Sequence, residues 1–284
     1  MTPILDTHFH PFTFQQLLQE IVALFRRLSL QSYRRSSVLV AGLIQPLLWL
    51  LLFGALFQKS VLPTFSEKII YYDDFLSSGI IVFTAFTSSL NAGLPIMFDR
   101  EFGFFNRLLV VPITSRLSIV VASFFHIVCV TTFQMFTILV ITFVQNNIKT
   151  AISMSAIVYS VVMLILLICL VTVFSILLAF ILSGHIELLA LILVINLPIL
   201  FSSTALAPLV FMPKWLQLLA TLNPLTYAIE ALRHVMLFDD FVPHHKVVST
   251  ILAHLSMMDI IVYFCILNFI MFIAANYFFQ KKLE

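Results

Sequence analysis

Charge is scarce in this sequence: Asp, Glu, Lys and Arg make up 10% of its 284 residues, against 61% hydrophobic side chains and a mean hydropathy of +1.10. A soluble helical bundle needs a polar stripe along the outer side of each helix, and the long uncharged runs here leave none. The chain therefore reads as an all-α integral membrane protein. A formal net charge of +2 is too small to point to nucleic acid. Cys129, Cys169 and Cys265 lie singly in apolar runs, which excludes a disulfide framework and a cysteine metal cluster and predicts small core residues. Glycine is also sparse, at six residues, and none opens the G-x-x-x-x-G-K-[ST] pattern whose backbone N–H groups cradle phosphates. No G-x-S-x-G, H-E-x-x-H or pair of intramembrane carboxylates occurs either, so the residues expected of a membrane enzyme are missing. The N-terminal MTPILDTHFHPF has neither the basic region nor the apolar core of a signal peptide, so insertion is expected to use the spans themselves.

What is abundant is apolar sequence in membrane-length runs. Spans are predicted at 37–57, 75–97, 117–143, 151–182, 186–206 and 260–279, each long enough to cross about 30 Å of hydrocarbon. Residues 1–36 form the N-terminal segment, where Phe14, Leu17, Leu18, Ile21, Phe25 and Leu28 recur at helical spacing against Gln15, Gln16, Gln19, Glu20 and Arg27. That pattern predicts an amphipathic helix lying in the interface. Nine of the fifteen Lys and Arg, and seven of the eight arginines, fall in the N-terminal segment, the 98–116 stretch and the tail. The positive-inside bias places both termini inside. Residues 207–259 form a long outer segment containing PKWLQLLATL and PLTYAIEALRHVML, two short apolar helices that each start at a proline. They are predicted to dip back into the bilayer.

Ionisable groups at membrane depth are the next question, because their cost makes them functional by default. His126 in the third span admits two readings, a proton relay or substrate contact and a neutral imidazole hydrogen-bonded between helices. Asp259 stands at the edge of the sixth span. His244, His245 and His254 beside Asp239 and Asp240 are either a loose metal site or a solvated loop. Scarce intramembrane charge disfavours an ion-coupled carrier. The 30 phenylalanines serve either lipid contact and packing or an aromatic path for an amphipathic substrate.

The polar island FDREFGFFNRLLVVPITSRL, Phe98 to Leu117, concentrates five charges between two apolar runs. A helix from Asp99 to Val111 would carry Phe102, Phe105, Leu108 and Leu109 on one face and Arg100 and Arg107 on another, with Pro112 ending it. This element is either a solvated topogenic loop or a docking element for a partner.

The stretch DREFGFFNRLLVVPITSRL is similar to the E-R-E-x-G-T-x-E-x-L-x-x-T-P-x-S-R stretch of the type-2 ABC exporter permeases. Arg100, Glu101, Gly103, Leu108, Pro112, Ser115 and Arg116 match it, whereas Phe104 and Asn106 depart from the family's Thr and Glu. LNPLTYAIEALRHVML resembles the family's N-P-L-T-Y-x-x-(D/E)-x-x-R. The resemblance implies a permease with six spans, an ATPase-docking coupling helix (Arg100, Glu101, Gly103, Arg107, Pro112, Arg116) and re-entrant outer helices. In the latter, Asn223, Pro224, Tyr227, Glu230 and Arg233 would shape an outer gate, or Glu230 and Arg233 would simply pair. It also implies a second permease subunit forming a homodimer, lipid surroundings, and a separate ATP-binding-cassette subunit that binds ATP and Mg, with no cofactor in this chain. The compartment is a bacterial inner membrane or a plastid membrane. The cargo class is a lipid, a lipid-linked glycan or a hydrophobic compound. A membrane assembly or scaffold protein is the alternative.

Overall fold

The computed structural model describes residues 14–34, 36–57, 61–62, 70–103, 117–146, 154–237, 246–249 and 254–283. In chain order the helices are α1 (Phe14–Arg34), α2 (Ser36–Phe57), α3 (Tyr72–Leu90), α4 (Gly93–Glu101), α5 (Leu117–Asn146), α6 (Met154–Ile181), α7 (His185–Phe201), α8 (Lys214–Leu222), α9 (Pro224–Leu237) and α10 (Met257–Leu283). A 3₁₀ turn spans Leu209–Phe211. Two short antiparallel ribbons, β1 (Val61–Leu62) with β2 (Ile70–Tyr71) and β3 (Lys246–Ser249) with β4 (His254–Ser256), add the non-helical structure that composition did not predict.

The hub is α3, which packs against α2, α5, α6 and α9. Its Leu76, Ile80, Val82, Phe83, Ala85 and Leu90 are completely shielded, although α3 also carries more hydroxyls than its neighbours. Helices in hydrocarbon gain nothing from hiding leucine from lipid, so close approach at small residues and satisfied polar groups hold them together. Ser78, Thr84 and Ser89 return their hydroxyls to the carbonyls of Phe75, Ile80 and Ala85 at 2.9, 2.7 and 2.7 Å. Thr87 donates to Asn196 Oδ1 of α7 at 3.2 Å, and Ser88 donates to Gln134 Oε1 of α5. By contrast, α2 and α10 present rows of exposed Leu, Ile, Val and Phe.

Among the described residues five stretches are long and apolar enough to cross a membrane: Leu39–Phe57, Tyr72–Glu101, Val121–Thr142, Met154–Ile181 and Met257–Phe278. The expected fifth span, 186–206, is shorter than predicted. Helix α7 has 17 residues and stops at Phe201, where Pro198 occupies its last turn and Ser202 to Ala205 turn back toward α3. The expected span 75–97 is also not one helix. Its ladder breaks at Asn91 and Ala92, because Pro95 has no N–H for the Asn91 carbonyl and its ring would collide with that carbonyl. Leu94 N donates to Asn91 O instead, at 3.1 Å. The cysteines are corrected too: Cys129 and Cys265 are exposed and Cys169 is half-buried, so they line helix surfaces rather than a core. Asp259 forms a capping box with Ser256 at the start of α10, each side chain reaching the other's backbone N–H (Ser256 N to Asp259 Oδ2 2.9 Å, Asp259 N to Ser256 Oγ 3.4 Å).

Candidate functional site

The polar island begins on α4, which stops at Glu101, and residues 104–111 of the helix expected from Asp99 to Val111 lie outside the described residues. Phe102 N donates to Phe98 O at 2.9 Å and Gly103 adopts φ +73°, the left-handed conformation that closes a helix and that glycine reaches without a Cβ penalty. Arg107, Pro112 and Arg116 lie outside the described residues.

The charges of α4 turn toward their own chain. Asp99 pairs with Arg27 of α1 at 2.5 Å. Arg100 Nη1 donates to the carbonyls of Ala179 and, at 3.3 Å, Leu182 at the end of α6, and its guanidinium lies 5.9 Å from the Phe180 ring. Glu101 Oε2 accepts from His185 N at 3.3 Å, at the start of α7, and sits 2.5 Å from His185 Nδ1. Helix C-termini leave carbonyls without donors and N-termini leave amides without acceptors, with matching partial charges. Consecutive Arg100 and Glu101 therefore straddle the α6–α7 bend, the cation on the carbonyl end and the anion on the amide end. Glu187 Oε2 accepts from Ser183 N at 3.0 Å within the same bend.

Next to this cluster, α1 is fastened to α5. His126 Nε2 lies 2.9 Å from Ser32 Oγ and Nδ1 3.4 Å from Ser29 Oγ, while Glu20 accepts from Ser118 at 3.0 Å. A neutral imidazole has one donor and one acceptor, and a hydroxyl can answer either, so both ring nitrogens are satisfied. His126→Leu leaves both serines without this partner. It is expected to loosen α1 by about 1–2 kcal/mol, visible as roughly tenfold faster tryptic cleavage at the exposed Arg26 and Arg34. An unchanged cleavage rate would contradict the anchor.

At the opposite end the second motif closes a hairpin. Pro213 caps α8 and Pro224 opens α9, where a missing N–H costs nothing. Between them Asn223 Oδ1 accepts from Leu225 N at 2.9 Å, and its amide donates to Ile199 O and Ser202 Oγ at 2.8 and 3.1 Å. Tyr227 donates to Thr221 O at 2.5 Å. Arg233 is buried and fully engaged. It pairs with Glu230, donates to Ser78 Oγ at 3.2 Å, Phe75 O at 3.4 Å and Thr204 O at 2.7 Å, and lies 3.5 Å from the centre of the Phe75 ring. Burial pushes its pKa down, and the Glu230 carboxylate and then Tyr72 push it up. Among the described residues no group of His, Cys, Asp and Glu is placed to hold a metal.

Several partners were not legible beforehand. His185, Ser175, Ser78 and Thr204 stand in no motif, and the carbonyls of Ala179 and Thr204 carry no side-chain signature at all. Only the break at Ser183 and Gly184 marks the α6–α7 bend in the sequence.

Residues 19–237 match the ABC-2 type transporter family. The proteins named transport permease ycf38 of Porphyra purpurea and Pyropia yezoensis are 53% and 51% identical to this chain over 220 and 235 residues. These alignments cover 78% and 83% of this chain and 75% and 80% of the relatives. The namesake from Cyanophora paradoxa is 51% identical over 217 residues, 76% of this chain and 73% of its own. With its helices of membrane length, the chain belongs to the ABC-2 type transporter family and is a multi-pass membrane transport permease.

Proposed function

We propose that this permease is the membrane half of an ATP-driven exporter, working as a homodimer beneath which two separate ATP-binding-cassette subunits bind ATP and Mg. Its cargo is a lipid, a lipid-linked glycan or a hydrophobic compound that follows an apolar route. The compartment is a plastid or bacterial inner membrane, with both termini on the ATPase side. The observation that carries this reading is the attachment of α4: Asp99 to α1, Arg100 to α6 and Glu101 to α7. A push on the residues that follow α4 is delivered to three helices at once, which suits a lever better than a solvated topogenic segment. The docking contacts then belong to Arg107, Pro112 and Arg116, while Arg100 and Glu101 hold the lever in place and Gly103 turns the chain out of α4. Asn223, Pro224, Tyr227, Glu230 and Arg233 fix the re-entrant hairpin that forms the outer barrier.

An ATP-binding-cassette ATPase should co-purify with the full-length chain, and its hydrolysis in liposomes should rise with added cargo lipid. Arg107→Glu should weaken that association by at least about tenfold, the effect of roughly 1.4 kcal/mol. If no ATPase co-purifies, or if one does and hydrolysis never responds to lipid, the chain is an assembly or scaffold protein instead.

A further inference from the structure

The break between α3 and α4 is hydrogen-bonded in an unusual way. In an uninterrupted helix Gly93 N would donate to Ser89 O, and Leu94 N to Leu90 O. Here Ala92 N takes Ser89 O at 3.1 Å and Leu94 N takes Asn91 O at 3.1 Å. Two of the groups this shift frees, Gly93 N and Leu90 O, are both satisfied by one hydroxyl of α6. Gly93 N donates to Ser175 Oγ at 2.9 Å, and Ser175 Oγ donates to Leu90 O at 2.5 Å. Gly93 also lets the α4 backbone lie directly on α6, since a Cβ there would run into the Ser175 carbonyl.

A second arrangement of the same groups is complete but for one carbonyl. If α3 and α4 straighten, Gly93 N returns to Ser89 O and Leu90 O accepts from Leu94 N. The Ser175 hydroxyl then turns to the Val171 carbonyl one turn back on α6, the usual bond of a helical serine. Asn91 O loses its donor in that form, because Pro95 cannot supply one. Two states with nearly matched hydrogen bonding are what a switchable element requires.

We infer that the Leu90–Gly93 joint is a two-state hinge, latched in its bent form by Ser175, and that Ser175 and Pro95 set its equilibrium. Helix α4 follows the island on one side of the hinge, while α3 stays locked in the bundle by its buried hydroxyls and shielded apolar residues. Its relevance to transport rests on the exporter reading above, but the hinge itself does not. Relaxing a kink of roughly 20°, the lower limit of a sharp proline kink, swings the tip of a nine-residue helix, about 13 Å long, by about 4–5 Å.

The test uses the full chain in liposomes without ATPase or nucleotide, with Cys129, Cys169 and Cys265 replaced by alanine. Spin labels at Phe102→Cys and Val210→Cys, both exposed positions, report the distance from the α4 tip to the other end of the bundle. Ser175→Ala removes the latch, and Pro95→Ala restores the donor for the straight form. Both should move the mean distance in the same direction, by about 4–5 Å for full conversion. Distance distributions that coincide in all three proteins overturn the hinge. Ser175→Thr, which keeps the hydroxyl and adds no thiol, should stay near the parent, which a mere packing defect would not produce. In complex with the ATPase, Ser175→Ala should lower lipid-stimulated hydrolysis several-fold while leaving association unchanged. A distance shift in a chain that binds no ATPase sinks the exporter reading and leaves the hinge. Intact stimulation with unmoved distances does the reverse.

Discussion

Arg233→Ala is expected to cost about 3–5 kcal/mol of stability, the largest loss of any substitution considered. The side chain is 7% exposed, and it joins three separate pieces of chain: α9 through Glu230, α3 through Ser78 and the Phe75 carbonyl, and the turn after α7 through the Thr204 carbonyl. Truncation leaves the Glu230 carboxylate without its counter-charge and Thr204 O without its donor, and removes the cation from the face of Phe75. Arg233→Lys should recover less than half of the loss. An ammonium cannot reach three acceptors on different sides or lie flat on a ring as a guanidinium does. Arg233→Met separates packing from charge: it restores volume and still leaves Glu230 alone, so it should stay close to alanine. Denaturant titration in mixed micelles measures all three, and a loss below about 1 kcal/mol for alanine would contradict the bracing role.

Gly79→Ala is expected to destabilise by about 1–3 kcal/mol, an unusual outcome for the gain of one methyl group in a helix, where alanine normally helps. A Cβ at position 79 would stand 2.6 Å from Ala205 O and 2.8 Å from Ala205 Cα, both backbone atoms of the turn that Arg233 also grips. Backbone cannot rotate aside as a side chain can, so α3 and the turn must separate. That in turn lengthens the contacts of Arg233 to Thr204 and of Tyr72 to the Leu206 carbonyl, now 2.9 Å. The two substitutions should therefore be less than additive when combined. Gly184→Ala is the control: its nearest neighbour would be 3.9 Å away, so its effect should be limited to the roughly 0.5–1 kcal/mol by which glycine outranks alanine at a helix N-cap. A melting temperature in detergent that drops equally for both glycines would refute the close-approach argument.

Membrane residence and the helical class were legible in composition and run length, because both follow from how much apolar surface a chain must place in hydrocarbon. The helix starts at Pro213 and Pro224 were legible for a similar reason: a residue without an N–H and with a fixed φ acts locally. The breaks were only half legible. Pro95 and Pro198 stand in the sequence, yet whether a membrane helix tolerates a proline depends on who satisfies the freed groups, and for Leu90 and Gly93 the answer is a serine 82 to 85 residues away.

The roles of the charged residues divide along the same line. That Arg100, Glu101 and Arg233 matter could be read from their type and neighbourhood, since charge in so apolar a chain is expensive wherever it sits. What they do could not. The resemblance put Arg100 and Glu101 on an ATPase-docking helix together with Gly103, Arg107, Pro112 and Arg116, and in the fold the two meet the carbonyl end of α6 and the amide end of α7. Those partners are backbone groups, which every residue has, so no sequence pattern marks them. Composition and periodicity identified a greasy helical membrane protein with a polar island, because those properties sum over residues. Which helix ends meet at that island is a matter of packing, because an unpaired helix terminus acquires its partner only when another segment is brought within hydrogen-bond reach.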